Sequence, residues 1–262
     1  MARYDHVVWI WMENHTADEV IGSHDAPYET GLSAECGTAS DYSIVGKPSL
    51  PNYIGATSGG NQGIHDDAPP STYRLSVDNL FRQVRTVGGT ERSYEESMPA
   101  NCALGSNGMY AVKHNPAAYY SGGDDRRACL ADDVPLGSLE DGQLRRDLEA
   151  NALPTFSFVT PNLCHDTHDC GVGDGDDWLQ QWVPVILVSS AYRAGRTAVF
   201  IVWDEPTPMP FIAISPTTQP GTKVTNRIDH YALLRTTEAM LGIATFLGAA
   251  ATATDLRPPL GL

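Results

Sequence analysis

A chain of 262 residues and 28.3 kDa is long enough to bury a full core, and one domain is its simplest organisation. Its net charge of −15 argues against a nucleic-acid partner, which would call for a basic face. A small anion stays compatible wherever a metal or a local cation offsets the field. No apolar run approaches the ~18 residues of a membrane span.

The first element is the run His6–Met12, which is apolar after its histidine and ends in Glu13-Asn14. Strand-like sequence from about the fourth residue leaves no room for a signal peptide ahead of it. A short helix is predicted to open at Ser49 in Lys47-Pro48-Ser49-Leu50-Pro51-Asn52-Tyr53, because proline suits a first helical turn. Residues 75–87 carry a helical pattern. From 95 to 134 periodicity weakens and Gly, Asn, Asp and Tyr accumulate. That stretch reads as an excursion from the sheet, a cap over the site held by Cys102 and Cys129. A helical pattern follows at 139–152, then a strand at 155–160 that leads into Cys164-His165-Asp166-Thr167-His168-Asp169-Cys170. A third helix is predicted at 177–193. The strand 198–203 ends in Asp204-Glu205, a fourth apolar run covers Phe211–Ile214, and a last helix covers 230–243.

Continuous β-branched and aromatic runs suit strands buried on both faces. Their alternation with helices predicts a mostly parallel sheet covered on both sides. Ligands bind such sheets outside the carboxyl ends of the strands, where loops distant in sequence converge. Three strands here run into metal-grade ligands.

Each cluster carries two readings. Ser49 is either a plain helix cap or a nucleophile at the positive end of a helix, where amides also hold anions. A serine hydroxyl needs activation, which a metal can supply. Glu13, Asn14, Asp204 and Glu205 are loop acids and caps, or oxygen ligands that favour Ca²⁺, Mg²⁺ or Mn²⁺ over a thiolate zinc site. The Cys164–Cys170 loop could hold zinc, but its crowded ligands make a poor tetrahedron. A disulfide that stiffens the loop and aims Asp166 and His168 inward fits better. Asp229 and His230 read as a cap and a first-turn surface residue, or as part of the site. Two cysteine pairs plus Cys36, which has no evident partner, fit an oxidising compartment and a secreted protein.

Taken in order, several motifs resemble those of the secreted acid phosphatase/phospholipase C type phosphoesterases, in the alkaline-phosphatase-like superfamily. They are Ile10-Trp11-Met12-Glu13-Asn14-His15, Pro48-Ser49-Leu50-Pro51-Asn52-Tyr53, the 162–170 loop, Gly175-Asp176-Asp177-Trp178-Leu179, Trp203-Asp204-Glu205 and His230-Tyr231-Ala232-Leu233-Leu234-Arg235. The resemblance implies a three-layer α/β/α fold with a mostly parallel central sheet and a small disulfide-linked cap. It implies that Glu13, Asn14, Ser49, Asp204 and Glu205 surround one divalent metal ion (Ca²⁺, Mg²⁺, Mn²⁺ or Zn²⁺). Ser49 would be the nucleophile of a phosphomonoesterase and form a phosphoseryl intermediate. Lys113 and His114 match a segment near the phosphate pocket. His168 and His230 match histidines around the leaving group and the non-bridging oxygens, and Asp166 and Asp176 fall within matching site motifs. The implied substrate is a small phosphorylated molecule or a phospholipid head group, and the implied location is secreted or periplasmic. Alternatives are a phospholipase C acting on diester head groups, and an inactive metal- or sugar-binding surface protein. A Cys or Ser followed by X-Pro-X-Arg, the sulfatase signature, is absent. Two departures lie near the site: Pro206-Thr207-Pro208-Met209-Pro210 replaces a longer Gly-rich acidic loop, and Lys47 stands where relatives carry a histidine.

Overall fold

The computed structural model describes residues 4–262. Its strands are β1 (His6–Met12), β2 (Gly37–Ala39), β3 (Tyr42–Ser43), β4 (Glu91–Glu95), β5 (Asp133–Pro135), β6 (Phe156–Thr160), β7 (Thr197–Trp203), β8 (Phe211–Ile214), β9 (Lys223–Val224) and β10 (Ile228–Asp229). Eight of them form one sheet in the order β5-β4-β6-β1-β7-β8-β2-β9, while β10 pairs with β3 separately. Only β8 runs against its neighbours in the large sheet, so the sheet is mostly parallel. The four strands expected from apolar runs are β1, β6, β7 and β8, each within a residue of its predicted bounds.

The helices are α1 (Ala17–Val20), α2 (Pro27–Glu35), α3 (Ser49–Ser58), α4 (Leu80–Thr86), α5 (Asp125–Asp132), α6 (Gln143–Glu149), α7 (Val172–Leu187), α8 (Ser190–Arg193), α9 (His230–Met240) and α10 (Arg257–Leu260). Successive side chains of a strand face opposite sides of the sheet. From β1, Trp9 donates to Thr237 of α9 at 3.0 Å, and the Trp11 ring lies 4.6 Å from that of Tyr53 in α3. Met12 points the other way, toward α7. Gly175 of α7 comes so close that a Cβ there would meet Met12 Cε at 2.9 Å. Helices therefore cover both faces, giving three layers.

Several boundaries differ from the sequence pattern for local reasons. The 75–87 helix begins only at Leu80, because the Asn79 side chain accepts the Arg82 N–H and caps it there. The 177–193 helix starts earlier, at Val172, and divides where Ser189 accepts the Tyr192 N–H and opens α8. The 139–152 pattern shortens to α6, and the 230–243 pattern to α9. Asp229 does cap α9, accepting N–H groups from Tyr231 and Ala232. The segment after β4 leaves the sheet and returns as β5, pairing in parallel with the strand it left. Disulfides join Cys102 to Cys129 and Cys164 to Cys170, as expected, and Cys36 is free.

Candidate active site

In parallel strands that lie in register, the residues following both strands emerge together. Met12 of β1 stands opposite Trp203 of β7, and the Asp204 N–H extends the ladder to the Met12 carbonyl at 3.1 Å. Glu13 and Asp204 therefore leave the sheet side by side, both fully buried. Helix α3 supplies the third member. Ser49 is its first residue, with Pro48 at the cap position, so the cap residue itself offers no side-chain acceptor to the first turn. The Ser49 hydroxyl instead donates to Glu13 Oε2 at 3.1 Å. The bland reading of Ser49 as an N-cap is thereby overturned. One turn later, on the same helical face, Tyr53 donates to Glu13 Oε1 at 2.5 Å.

The disulfide loop docks onto this group. The Glu13 N–H reaches the Asp166 carbonyl at 2.7 Å, and Thr167 donates to the Glu13 carbonyl at 2.7 Å. His114, in a 3-10 turn (Val112–His114), lies between two carboxylates. Its Nδ1 is 3.0 Å from Asp166 Oδ2 and its Nε2 is 3.2 Å from Glu13 Oε1. Its ring stacks on Tyr53 with centroids 5.3 Å apart. The other Asp166 oxygen accepts the His168 N–H at 2.8 Å. Lys113 donates to His168 Nε2 at 3.1 Å, so the His168 proton sits on Nδ1 and is donated to Asp169 at 2.7 Å. Lys113 also reaches Asp67 Oδ2 at 3.3 Å, and Asp67 Oδ1 accepts the Leu50 N–H at 2.9 Å. Asp67 was not expected from the sequence. It lies in an irregular polar loop, and only the pairing of Leu50 and Lys113 in space brings it here.

The sequence model of the Phosphoesterase family matches residues 24–209, a span that holds Ser49, Lys113, His114, Asp166, His168 and Asp204. The chain belongs to the phosphoesterase family. It is accordingly a phosphoric ester hydrolase. It is 28% identical to the phosphatidylinositol-3-phosphatase of Mycobacterium tuberculosis over 253 residues, covering 93% of this chain and 79% of that protein. It is 25% identical to an acid phosphatase of Aspergillus fumigatus, over 75% of this chain and 43% of the fungal protein. A phosphate-repressible acid phosphatase of Penicillium chrysogenum is 25% identical, over 77% of this chain and 48% of its own length. The chain thus spans less than half of these two fungal relatives. Among solved structures, a protein of the alkaline phosphatase superfamily from Vibrio parahaemolyticus shares the fold with a TM-score of 0.64 at 14% identity. That match covers 99% of this chain and 72% of the other. A lipoteichoic acid synthase from Listeria monocytogenes gives 0.68 at 11% identity, over 97% and 76%.

In this phosphoesterase, burial raises the pKa of Glu13 well above the carboxylate range, and the charges of Asp204 and Asp166 add to the rise. Asp204 is raised by burial and by Glu205, with Ser49 and Glu13 offsetting part of the effect. Asp166 is pushed up to about 7, chiefly by burial. His114 is held well below its usual value by burial, and Lys113 and His168 act in the same direction. Two carboxylates packed this closely are neutralised by a proton or, when ionised, by a compensating positive charge. Asp204 Oδ2 is buried without any hydrogen-bond partner. A carboxylate oxygen left without a partner beside Glu13 and a serine hydroxyl offers the oxygen donors that suit a hard or borderline divalent cation. Glu13, His114 and His168 also place ligand atoms within 4.8 Å of one another, so Glu13 is common to both groupings.

The remaining expected residues fall in different places. Asn14 adopts a positive φ of 57°, and its N–H lies 3.5 Å from Asp204 Oδ1. Glu205 is half-buried, and its pKa is raised by burial, with Lys47, Lys113 and His168 lowering it and Asp67 raising it. His230 requires a correction. Its Nε2 donates to the Asp204 carbonyl at 3.0 Å and its Nδ1 accepts from the Tyr42 hydroxyl at 2.6 Å. Fully buried with both nitrogens occupied, it holds the Asp204 backbone and keeps no nitrogen free for a leaving group. Burial lowers its pKa to about 4, which keeps it neutral. Asp176 also takes another role. It accepts the N–H groups of Tyr28 at 3.0 Å and Glu29 at 2.8 Å, tying α7 to the start of α2.

Proposed function

We propose that this chain is a metal-dependent phosphomonoesterase with Ser49 as its nucleophile. The reading rests on one observation: a buried serine at a helix start turns its hydroxyl to Glu13 while neighbouring Asp204 keeps an unpartnered oxygen. Glu13, Asp204 and Ser49 would hold the cation, with Asn14 and Glu205 beside them. When bound, it would supply charge neutralisation and lower the pKa of the serine hydroxyl.

Ser49 Oγ gives up the proton it now donates to Glu13 and attacks phosphorus. The Oγ–P bond forms as the bond to the ester oxygen breaks. The departing oxygen takes a proton from the Lys113–His168 pair. The Leu50 amide, at the positive end of α3, and the Lys113 ammonium are the donors for non-bridging oxygens. Water then attacks the phosphoserine, returning a proton to the Lys113–His168 pair as the Oγ–P bond breaks; Ser49 Oγ retakes its proton from Glu13 and inorganic phosphate leaves. Tyr53, His114 and the disulfide loop hold Glu13 fixed throughout, so orientation supplies much of the rate.

The relatives named as acid phosphatases and as a phosphatidylinositol-3-phosphatase favour a monoester over the diester of a phospholipase C. The substrate class is a small phosphorylated molecule or a phosphorylated lipid head group. Two disulfides accord with a secreted or periplasmic location. The test is turnover of an aryl phosphate by wild type and Ser49→Ala, with and without a chelator. The reading expects activity only in the unchelated wild type. An active Ser49→Ala protein would make Ser49 structural.

A further inference from the structure

Asp67 makes two contacts that the chemistry above assigns to substrate. The Leu50 N–H is one of the donors without an intrahelical partner at the start of α3, next to Ser49. The Lys113 ammonium is the cation nearest His168. A single carboxylate takes both, with Oδ1 at 2.9 Å from the amide and Oδ2 at 3.3 Å from Nζ. Its two oxygens stand where two non-bridging oxygens of a phosphoryl group would find the same donors.

The surroundings let the side chain be exchanged. Asp67 and Lys113 are partly exposed, at 27% and 21% of their side-chain areas, so both can be reached from solvent. The backbone beside Asp67 is anchored, since Tyr119 donates to the Ala68 carbonyl at 3.1 Å. Side-chain rotation alone can therefore release the donors.

We propose that Asp67 is a specificity-determining residue, a resident carboxylate that occupies the phosphate donors at rest and yields them to the phosphoryl group of the substrate. This rests on the reading of Ser49 and its neighbours given above. An ester brings further contacts from its alcohol portion and displaces Asp67 more readily than free inorganic phosphate does. The competition weakens product binding and speeds turnover.

The test compares wild type, Asp67→Asn and Asp67→Ala, with thermal unfolding recorded for each. Inhibition by inorganic phosphate is measured against aryl phosphate turnover, and phosphate binding is measured directly by calorimetry on the metal-loaded protein. A charge-assisted contact pair predicts phosphate binding about tenfold tighter in Asp67→Ala, with KM and kcat falling together. A merely structural role could loosen phosphate binding but could not tighten it. Unchanged or weaker binding in folded variants would overturn the proposal, as would loss of folding in both. A wild type that binds phosphate but turns over no ester would refute the serine-nucleophile reading. Tighter binding in the variants would still support the role of Asp67.

Discussion

Glu13 shows how much one residue can organise. Its carboxylate receives Ser49 and Tyr53, meets His114, and its backbone is clasped by the 164–170 loop. Glu13→Gln keeps the shape and removes the charge. We expect that variant to lose divalent-cation affinity, read by calorimetry, and most of its turnover. His230 acts one step further out. His230→Phe would leave the Asp204 carbonyl and the Tyr42 hydroxyl buried without their partners. That should cost about 1–3 kcal/mol in stability. It should also lower kcat more than it raises KM, because the variant displaces Asp204 and leaves the phosphate donors in place. A rise in KM alone would return His230 to the substrate side of the site.

At the scale of elements, β1 and β7 set the geometry and α3 answers it. The paired N–H groups at the start of α2 depend on α7, through Asp176. Asp176→Ala should lower stability by about 1 kcal/mol, the typical loss of a helix cap, with turnover unchanged; thermal unfolding and kcat check this together. A large fall in kcat at unchanged stability would make Asp176 part of the site. The central strands were legible in the sequence because burial on both faces leaves continuous apolar runs. The short strands β2, β5 and β9, at or next to the sheet edges, were not, since two or three residues held by backbone pairing carry no periodicity. Strand ends ahead of Glu13 and Asp204 marked the site. The direction of the Ser49 side chain, the enclosed position of His230 and the arrival of Asp67 depend on packing between distant segments, and no local pattern encodes them.

For the whole molecule, the buried acids set a pH dependence. Burial pushes Glu91 and Asp133 up to about 7 and Glu238 up to about 8. Unfolded carboxylates titrate near 4, so between those values the folded chain binds more protons than the unfolded one. Their stabilising contribution is complete below pH 4 and is lost as pH rises through 7 to 8. The net charge of −15 adds repulsion in the same direction. The chelated protein should therefore melt at a higher temperature at pH 5 than at pH 8, and a flat or inverted profile would contradict this. The central claim, that three strand ends and one helix start converge to make Ser49 a nucleophile, meets its most direct test in acid-quenched turnover of an aryl phosphate followed by peptide mass spectrometry. The account predicts one phosphoryl group on the peptide containing Ser49, absent when substrate is withheld. Active enzyme that carries no phosphoryl group on Ser49 at any quench time, or carries one on another residue, would contradict it.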